Sequence, residues 1–322
     1  MNSINHYREE FLAHLRTSVA VKEPRNLYEP IDYILQLGGK RLRPVLTLVA
    51  TDLFGGDYRK ALPAAAAVEV FHNFSLVHDD IMDNASLRRG KATVHQKWNS
   101  NIAILSGDAM LICAYRLLES YPPDTFAALA KLFSKTALEV CEGQQWDMDF
   151  ETQTQVSIPQ YLQMIRYKTA VLVGAALQMG AIIAGASIEN QELIYDFGVT
   201  IGLAFQLQDD YLDTFGDEAF GKKIGGDILE NKKTILYLKA LDLADEAQRN
   251  TLIAQYTTSE ENDEKIAIVT QLFRQTGAAE AVRDEITRTT DEALNLLEHI
   301  TISDENRAYL KQFALELMNR KV

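Results

Sequence analysis

Two strings of aspartate stand out in this chain: Asp79-Asp80-Ile81-Met82-Asp83 and Asp209-Asp210-Tyr211-Leu212-Asp213, about 130 residues apart. In a helix of roughly 3.6 residues per turn, the first and last aspartate of each string share one face, about one turn apart. Carboxylates stacked in this way repel each other unless a cation lies between them. Hard oxygen ligands suit Mg2+, which keeps waters and is held by one or two carboxylates together with substrate phosphates. Acidic pairs on helices are ordinarily solvated. Here, however, Phe74, Leu76, Val77 and Ile81 surround the first string, and Phe205, Leu207, Tyr211 and Leu212 the second. Burying six carboxylates without counter-charge is too costly to be incidental. Two such faces turned towards each other would hold Mg2+ ions and a diphosphate.

Basic clusters accompany the acidic ones. Gly38-Gly39-Lys40-Arg41-Leu42-Arg43-Pro44 places cations at a glycine turn that opens a helix, a suitable cradle for an anion. Arg88-Arg89-Gly90-Lys91 follows the first aspartate string by five residues, and arginine forks suit bidentate phosphate binding. Lys168-Thr169 interrupts an otherwise apolar helix, where an unpaired lysine would be expensive. Gly221-Lys222-Lys223-Ile224-Gly225-Gly226-Asp227 and Lys232-Lys233 supply further cations after the second string. Metal-binding acids, anion-binding bases and an apolar helical interior have a phosphorylated, greasy molecule as their simplest common ligand.

These side chains need helices to carry them, and helical periodicity runs through nearly all of the 322 residues, with no convincing alternating strand pattern. Pro30 to Leu37 reads as a helix stopped by Gly38-Gly39, and Pro44 opens another that ends at Gly55-Gly56. A long helix is expected from about Arg59 to Asn84. Ser157 caps one that bears Lys168-Thr169, and another runs from about Asn190 to Phe215. Helices after Asn231 finish the chain near Lys321. No linker or low-complexity tract divides the sequence, so residues 1–322 are expected to form one all-α domain, a bundle of ten or more helices.

The net charge of −13 argues against nucleic acid as a partner. Cys113 and Cys141 lie in apolar helical stretches and read as buried free thiols. The opening MNSINHYREEFLAHL lacks the basic start and unbroken apolar core of a signal peptide. The longest apolar stretch, Ala170 to Ala184, contains Gln178 and is too short for the roughly 20 residues that span a bilayer. A soluble, cytoplasmic protein without a membrane span is expected.

Taken in order, GGKRLRP, LVHDDIMDNASLRRGKATVH, the KTA at Lys168, FQLQDDYLDTFGD and GKKIGGD resemble the all-trans isoprenyl diphosphate synthases of the polyprenyl synthetase family over essentially the whole chain. The resemblance implies the isoprenoid synthase fold, a helical bundle around a large central cavity. It implies a Mg2+-dependent condensation of isopentenyl diphosphate with an allylic diphosphate held through three Mg2+. Lys40, Arg43, His72 and Arg89 then match an isopentenyl diphosphate pocket, with Lys232 a further basic position near it. Asp79, Asp83 and Asp209 match metal ligands, with Asp80 in support and Asp210 and Asp213 adjacent; Asp213 is carried as a fourth candidate ligand. Arg88, Lys168, Thr169, Gln206 and Lys223 match groups around the allylic diphosphate, with Lys222 competing with Lys223 for the inward position. A homodimer is also implied.

A class I terpene cyclase shares one aspartate motif and the bundle, but the second Asp-Asp-x-x-Asp and GGKRLRP argue against it. A non-catalytic subunit of a hetero-oligomeric synthase commonly loses one acid motif, and both are intact here. Product length would be read along the helix preceding Asp79. On a helical wheel Ser75 lies about 40° from Asp79 and Phe71 about 80° from it. Small Ser75 leaves room near the diphosphate, while Phe71 and Phe74 can obstruct a longer tail. In the resembled family an aromatic at the position of Phe74 accompanies short products, and paired aromatics at positions 74 and 75 accompany one class of farnesyl synthases. Ser75 breaks that pair, so geranylgeranyl diphosphate is expected ahead of farnesyl diphosphate.

Overall fold

The computed structural model describes residues 1–216, 224–258 and 262–319, and the chain separates into two compact units. The first comprises residues 1–136 and 175–195, the second residues 137–174 and 196–322. Among the described residues the regular structure is helical apart from one two-stranded hairpin.

In the first unit α1 (Ile4–Ser18), α2 (Arg25–Gln36) and α3 (Leu42–Leu53) lead through a 3-10 turn, Tyr58–Ala61, into α4 (Leu62–Met82). The expected start at Arg59 is therefore divided, because Asp57 accepts from the Arg59 N–H and caps a tighter turn first. Pro30 does not open α2 but lies inside it. It removes one backbone bond that burial of Ile31, Ile34 and Leu35 offsets. Alanines 64–67, Val68 and Val70 are fully buried in α4, whose small side chains allow its neighbours a close approach. It packs against α6 (Ser100–Leu118), which follows the single turn α5 (Val94–Lys97).

Between them lies the structure that periodicity did not reveal: Leu87–Arg88 pairs antiparallel with Lys91–Ala92. Arg89 and Gly90 form its two-residue turn at φ 53° and 72°. Positive φ at both turn residues matches the twist of a tight hairpin. Strands of two residues are too short to show alternation.

The second unit holds the later part of α7 (Pro123–Thr152), then α8 (Ile158–Ile165), a π-helical turn Arg166–Ala170, and the start of α9 (Val171–Ala184). It continues with most of α10 (Ile188–Phe215), then α11 (Gly226–Leu229) and α12 (Ile235–Leu243). The chain is completed by α13 (Glu246–Thr257), α14 (Asp263–Gln275), α15 (Ala278–His299) and α16 (Asp304–Met318). Ser157 caps α8 in a reciprocal box with Gln160, as its sequence suggests. A core of Leu207, Ile228, Ile235, Leu252, Val269 and Phe273 holds α10 to α14 together.

Two sequence expectations change here. The apolar run is not confined to Ala170–Ala184, because the π turn joins α8 to α9 without a break. The resulting segment Ile158–Ala184 and the helix Ser100–Leu118 are each long and apolar enough to cross a membrane by length and composition alone. In the first, 61% of the apolar window is buried within the protein, in the second 33%. The thiols also differ from expectation: Cys113 is half-buried and Cys141 exposed, because each falls off the inward stripe of its helix.

Candidate active site

Both aspartate strings close a helix. Asp79 and Asp80 lie in the last turn of α4 and Asp83 is its C-cap, its N–H donating to the Asp79 carbonyl at 2.9 Å. Asp209, Asp210 and Asp213 lie in the last two turns of α10. Neither last turn contains a basic residue. A helix C-terminus already presents about half a negative charge, so carboxylates there are opposed by the dipole as well as by each other. That arrangement creates a demand for cations.

Arg88 meets part of it. From the hairpin its Nε donates to Asp80 Oδ1 at 2.8 Å, and Nη2 lies 3.5 Å from Asp79 Oδ2. Asp80 is buried, and burial raises its pKa against the opposing effect of Arg88. Its Oδ2 has no hydrogen-bond partner among the described residues. Asp80 thus anchors the arginine, while the Asp79 side chain keeps 18% exposure. Among the described residues no three acid, imidazole or thiol side chains form a ready-made metal cage. Two carboxylates at one helix end are a donor set that fits Mg2+, which is completed by water and phosphate oxygens. Asp79 and Asp83 would hold it here.

The basic turn is shaped by backbone conformation. Gly38, Gly39 and Arg41 have φ of 81°, 118° and 52°. Arg89 donates to the Gly38 carbonyl, and a Cβ on Gly39 would lie 2.9 Å from the Arg89 guanidinium. Glycine is therefore required at 39 for the arginine to close over the turn. Arg43 Nη1 lies 3.3 Å from His72 Nε2. Burial, then Arg43, Arg89, Arg88 and Arg41, holds the His72 pKa well below its usual value, so the imidazole is neutral. The structure thus brings Arg43, His72 and Arg89 together beside the turn bearing Lys40, an arrangement that an anion would relieve.

Arg41, the third cation of this turn, does not join them. It is buried, bonded to Glu69 and to the Leu35 carbonyl, while Asn73 Nδ2 donates to Glu69 Oε1 at 3.0 Å. It fastens the turn to α4 one helical turn before His72. Glu69 carried no sequence signal beyond being an acid in an apolar stripe.

In the second unit Lys168 lies in the π turn, paired with Asp147 of α7. Gly143 makes this possible, since a Cβ there would lie 2.2 Å from the Lys168 backbone nitrogen. Thr169 Oγ1 donates to Gln206 Oε1 at 3.4 Å, and Gln206 Nε2 donates to Asp210 Oδ1 at 3.0 Å. Tyr161 donates to the other oxygen of Asp210. Burial, followed by repulsion from Asp227, pushes the Asp210 carboxyl up to about 7.

Asp213 turns towards α11, where its Oδ2 accepts the Asp227 N–H at 3.0 Å. Lys232 belongs to the same unit as Asp213 and pairs with Glu230 at 2.8 Å and Asp227 at 4.0 Å. Burial alone would lower its pKa, but Glu230 and Asp227 more than compensate and raise it. Lys222 and Lys223 lie outside the described residues. Asp147 and Tyr161 were missed from sequence; the signal for Asp147 was the cluster of Glu142, Gln144, Gln145, Asp147 and Asp149 inside a helix.

Towards the N-terminus of α4, Phe74 stacks edge-on with His78 at 4.8 Å and meets Phe71 at 5.5 Å. Phe71 in turn contacts Phe133 at 5.2 Å. Ser75 folds its hydroxyl back onto the His72 carbonyl at 2.8 Å.

Residues 24–273 match the polyprenyl synthetase family model. The chain is 36% identical over 321 residues to the short chain isoprenyl diphosphate synthase of Methanothermobacter thermautotrophicus, covering 98% of each. A crystal structure of a geranylgeranyl pyrophosphate synthase, 54% identical, superposes with a TM-score of 0.96 over 100% of both chains. The geranylgeranyl pyrophosphate synthase of Corynebacterium glutamicum, complexed with isoprenyl diphosphate and magnesium, is 29% identical with a TM-score of 0.86 over 98% of each. With acid strings at helix ends, basic turns beside them and this likeness along the whole chain, the protein belongs to the polyprenyl synthetase family of prenyltransferases.

Proposed function

We propose that the chain joins isopentenyl diphosphate to an allylic diphosphate, head to tail, and that geranylgeranyl diphosphate is its product, ahead of farnesyl diphosphate. The observation that carries this reading is the pairing of a cation-demanding helix end with a basic cluster in which Arg43 lies 3.3 Å from half-buried His72 and Arg89 closes onto the Gly38 carbonyl. The enzyme depends on a divalent metal; three Mg2+ are proposed, held by Asp79, Asp83 and Asp209, with Asp213 a fourth candidate. The two units act as one catalytic domain in this reading, working in the cytoplasm on small isoprenoid diphosphates. The largely buried state of segment Ile158–Ala184 supports a core helix over a membrane span.

Bound Mg2+ would withdraw negative charge from the allylic diphosphate as its C–O bond breaks. Arg88, Lys168 and Lys223 would stabilise the departing diphosphate. Thr169 and Gln206 offer neutral dipoles to the allylic cation without capturing it. Lys40, Arg43, His72 and Arg89 would orient isopentenyl diphosphate, and Lys232 is proposed as a further cation near it. Its double bond attacks the cation, a new C–C bond forms, and a proton leaves to the released diphosphate. Water must be excluded, since it would trap the cation.

Incubation with both diphosphates tests the reading: prenyl elongation supports it, whereas a cyclic hydrocarbon or no product refutes it. The Phe71→Ala, Phe74→Ala double variant is expected to lengthen the product by one or more five-carbon units. An unchanged product distribution would show that the length stop lies elsewhere.

A homodimer is proposed from α6, where Ile104, Leu105 and Ile112 are 42%, 59% and 59% exposed on one face. Apolar stripes of this kind are rarely left in water. Light scattering that returned 36.2 kDa, the mass of one chain, would refute it.

A further inference from the structure

We infer that Tyr161 and Asp210 are positioning residues that lock the Gln206 amide with its oxygen, rather than its nitrogen, presented towards Thr169 and the reacting allylic carbon. The inference rests on the prenyl-transfer reading above. Four groups form one chain: Tyr161 of α8 donates to Asp210 Oδ2, Asp210 Oδ1 accepts from Gln206 Nε2, and Gln206 Oε1 accepts from Thr169 Oγ1. The backbone N–H of Ile235 also donates to Asp210.

A glutamine amide has two orientations of nearly equal shape, and its hydrogen-bond partners decide between them. Both oxygens of Asp210 act as acceptors here, so the flipped amide would set oxygen against oxygen. The NH2 is therefore committed to Asp210, and Oε1 is left to the side of the π turn. Thr169 gives its hydroxyl proton to that oxygen, so each oxygen keeps a lone pair for a further contact. Oxygen dipoles favour a developing cation, whereas an N–H at the same place would oppose it.

Tyr161 makes the lock rigid. It is 3% exposed within the apolar core of its unit, where a phenol needs a partner, and Asp210 is 5% exposed. Without the phenolic donor the carboxylate can rotate and release the amide. Asp210 therefore acts through Gln206, although it lies within the aspartate string.

The test uses the intact enzyme with isopentenyl and allylic diphosphates at saturating Mg2+. Tyr161→Phe keeps the ring in the core and is expected to lower kcat about ten-fold, the scale of one lost hydrogen bond to a charged group. Both KM values should stay within about two-fold, as for an interaction realised during the chemical step. A larger share of the allylic substrate should end as alcohol, through capture of a poorly stabilised cation by water. In a Gln206→Leu background Tyr161→Phe should have little further effect on kcat, because the group it positions is gone.

Multiplicative effects in that double variant would overturn the inference, since a merely structural tyrosine damages both backgrounds alike. Parental kcat in Tyr161→Phe, or a changed Mg2+ requirement with parental kcat at saturation, would overturn it as well. Parental enzyme that fails to elongate any allylic diphosphate would remove the prenyl-transfer reading, and this inference with it.

Discussion

Asp79→Asn is expected to cut turnover roughly 10²–10³-fold, the scale on which enzymes lose rate when one preorganised charge contact is removed. Asp79 ends α4 on the exposed side of the Arg88 contact, whereas Asp80 is buried and committed to that arginine. An amide at 79 keeps the shape but loses the charge proposed to draw Mg2+ and, through it, diphosphate. Stability should hold or rise by about 0.3–1 kcal/mol, because a negative charge leaves the negative end of a helix. Thermal unfolding measured beside initial rates separates the two effects. Near-parental turnover of Asp79→Asn, or parental activity that survives EDTA, would remove the metal role assigned here.

Arg41→Met is expected to destabilise the fold by about 3–5 kcal/mol, because Glu69 would be left as a buried carboxylate without its counter-charge. The pair is 2% and 3% exposed, so solvent screens it little. Replacing both residues, Arg41→Met with Glu69→Met, should recover most of that loss, since an apolar pair of similar volume tolerates burial. Urea unfolding of the two single variants and the double gives the coupling directly. Single losses that simply add would show that the ion pair is not what fastens the turn to α4. The double variant has a second consequence: with the turn released, the KM for isopentenyl diphosphate should rise more than that for the allylic substrate. Lys40 and Arg43 flank Arg41 in the same turn, whereas Thr169 and Gln206 belong to the other unit.

Much of this was legible because it depends on local order. The aspartate spacing places Asp79 and Asp83 one turn apart in any helix, and the glycines before Lys40 announce a turn. Ser157 followed by Gln160 announces a helix start, and the structure shows that cap in full. The resemblance assigned Lys40 and Arg43 of GGKRLRP to a pocket and left Arg41 without a role, and the structure turns Arg41 inward to Glu69, 28 residues further on. Lys168 looked like an expensive lysine in an apolar helix, and its answer lies in Asp147 and in the π turn that Gly143 admits. Cys141 looked buried because its neighbours are apolar, and it is exposed because burial follows the helix face rather than local composition.

By itself, therefore, the sequence determined the helical class, the two acid strings, the basic turns and hence the proposal of a metal-bound diphosphate. Those follow from side-chain type and from periodicities of a few residues. Only the tertiary structure decided which charges face a ligand and which neutralise each other. The pairings Arg41 with Glu69, Arg88 with Asp80, Lys168 with Asp147 and Tyr161 with Asp210 join residues 8 to 49 positions apart. No propensity specifies such pairs. They form because burial makes an unmatched charge or hydroxyl costly, and packing selects the partner that can reach it.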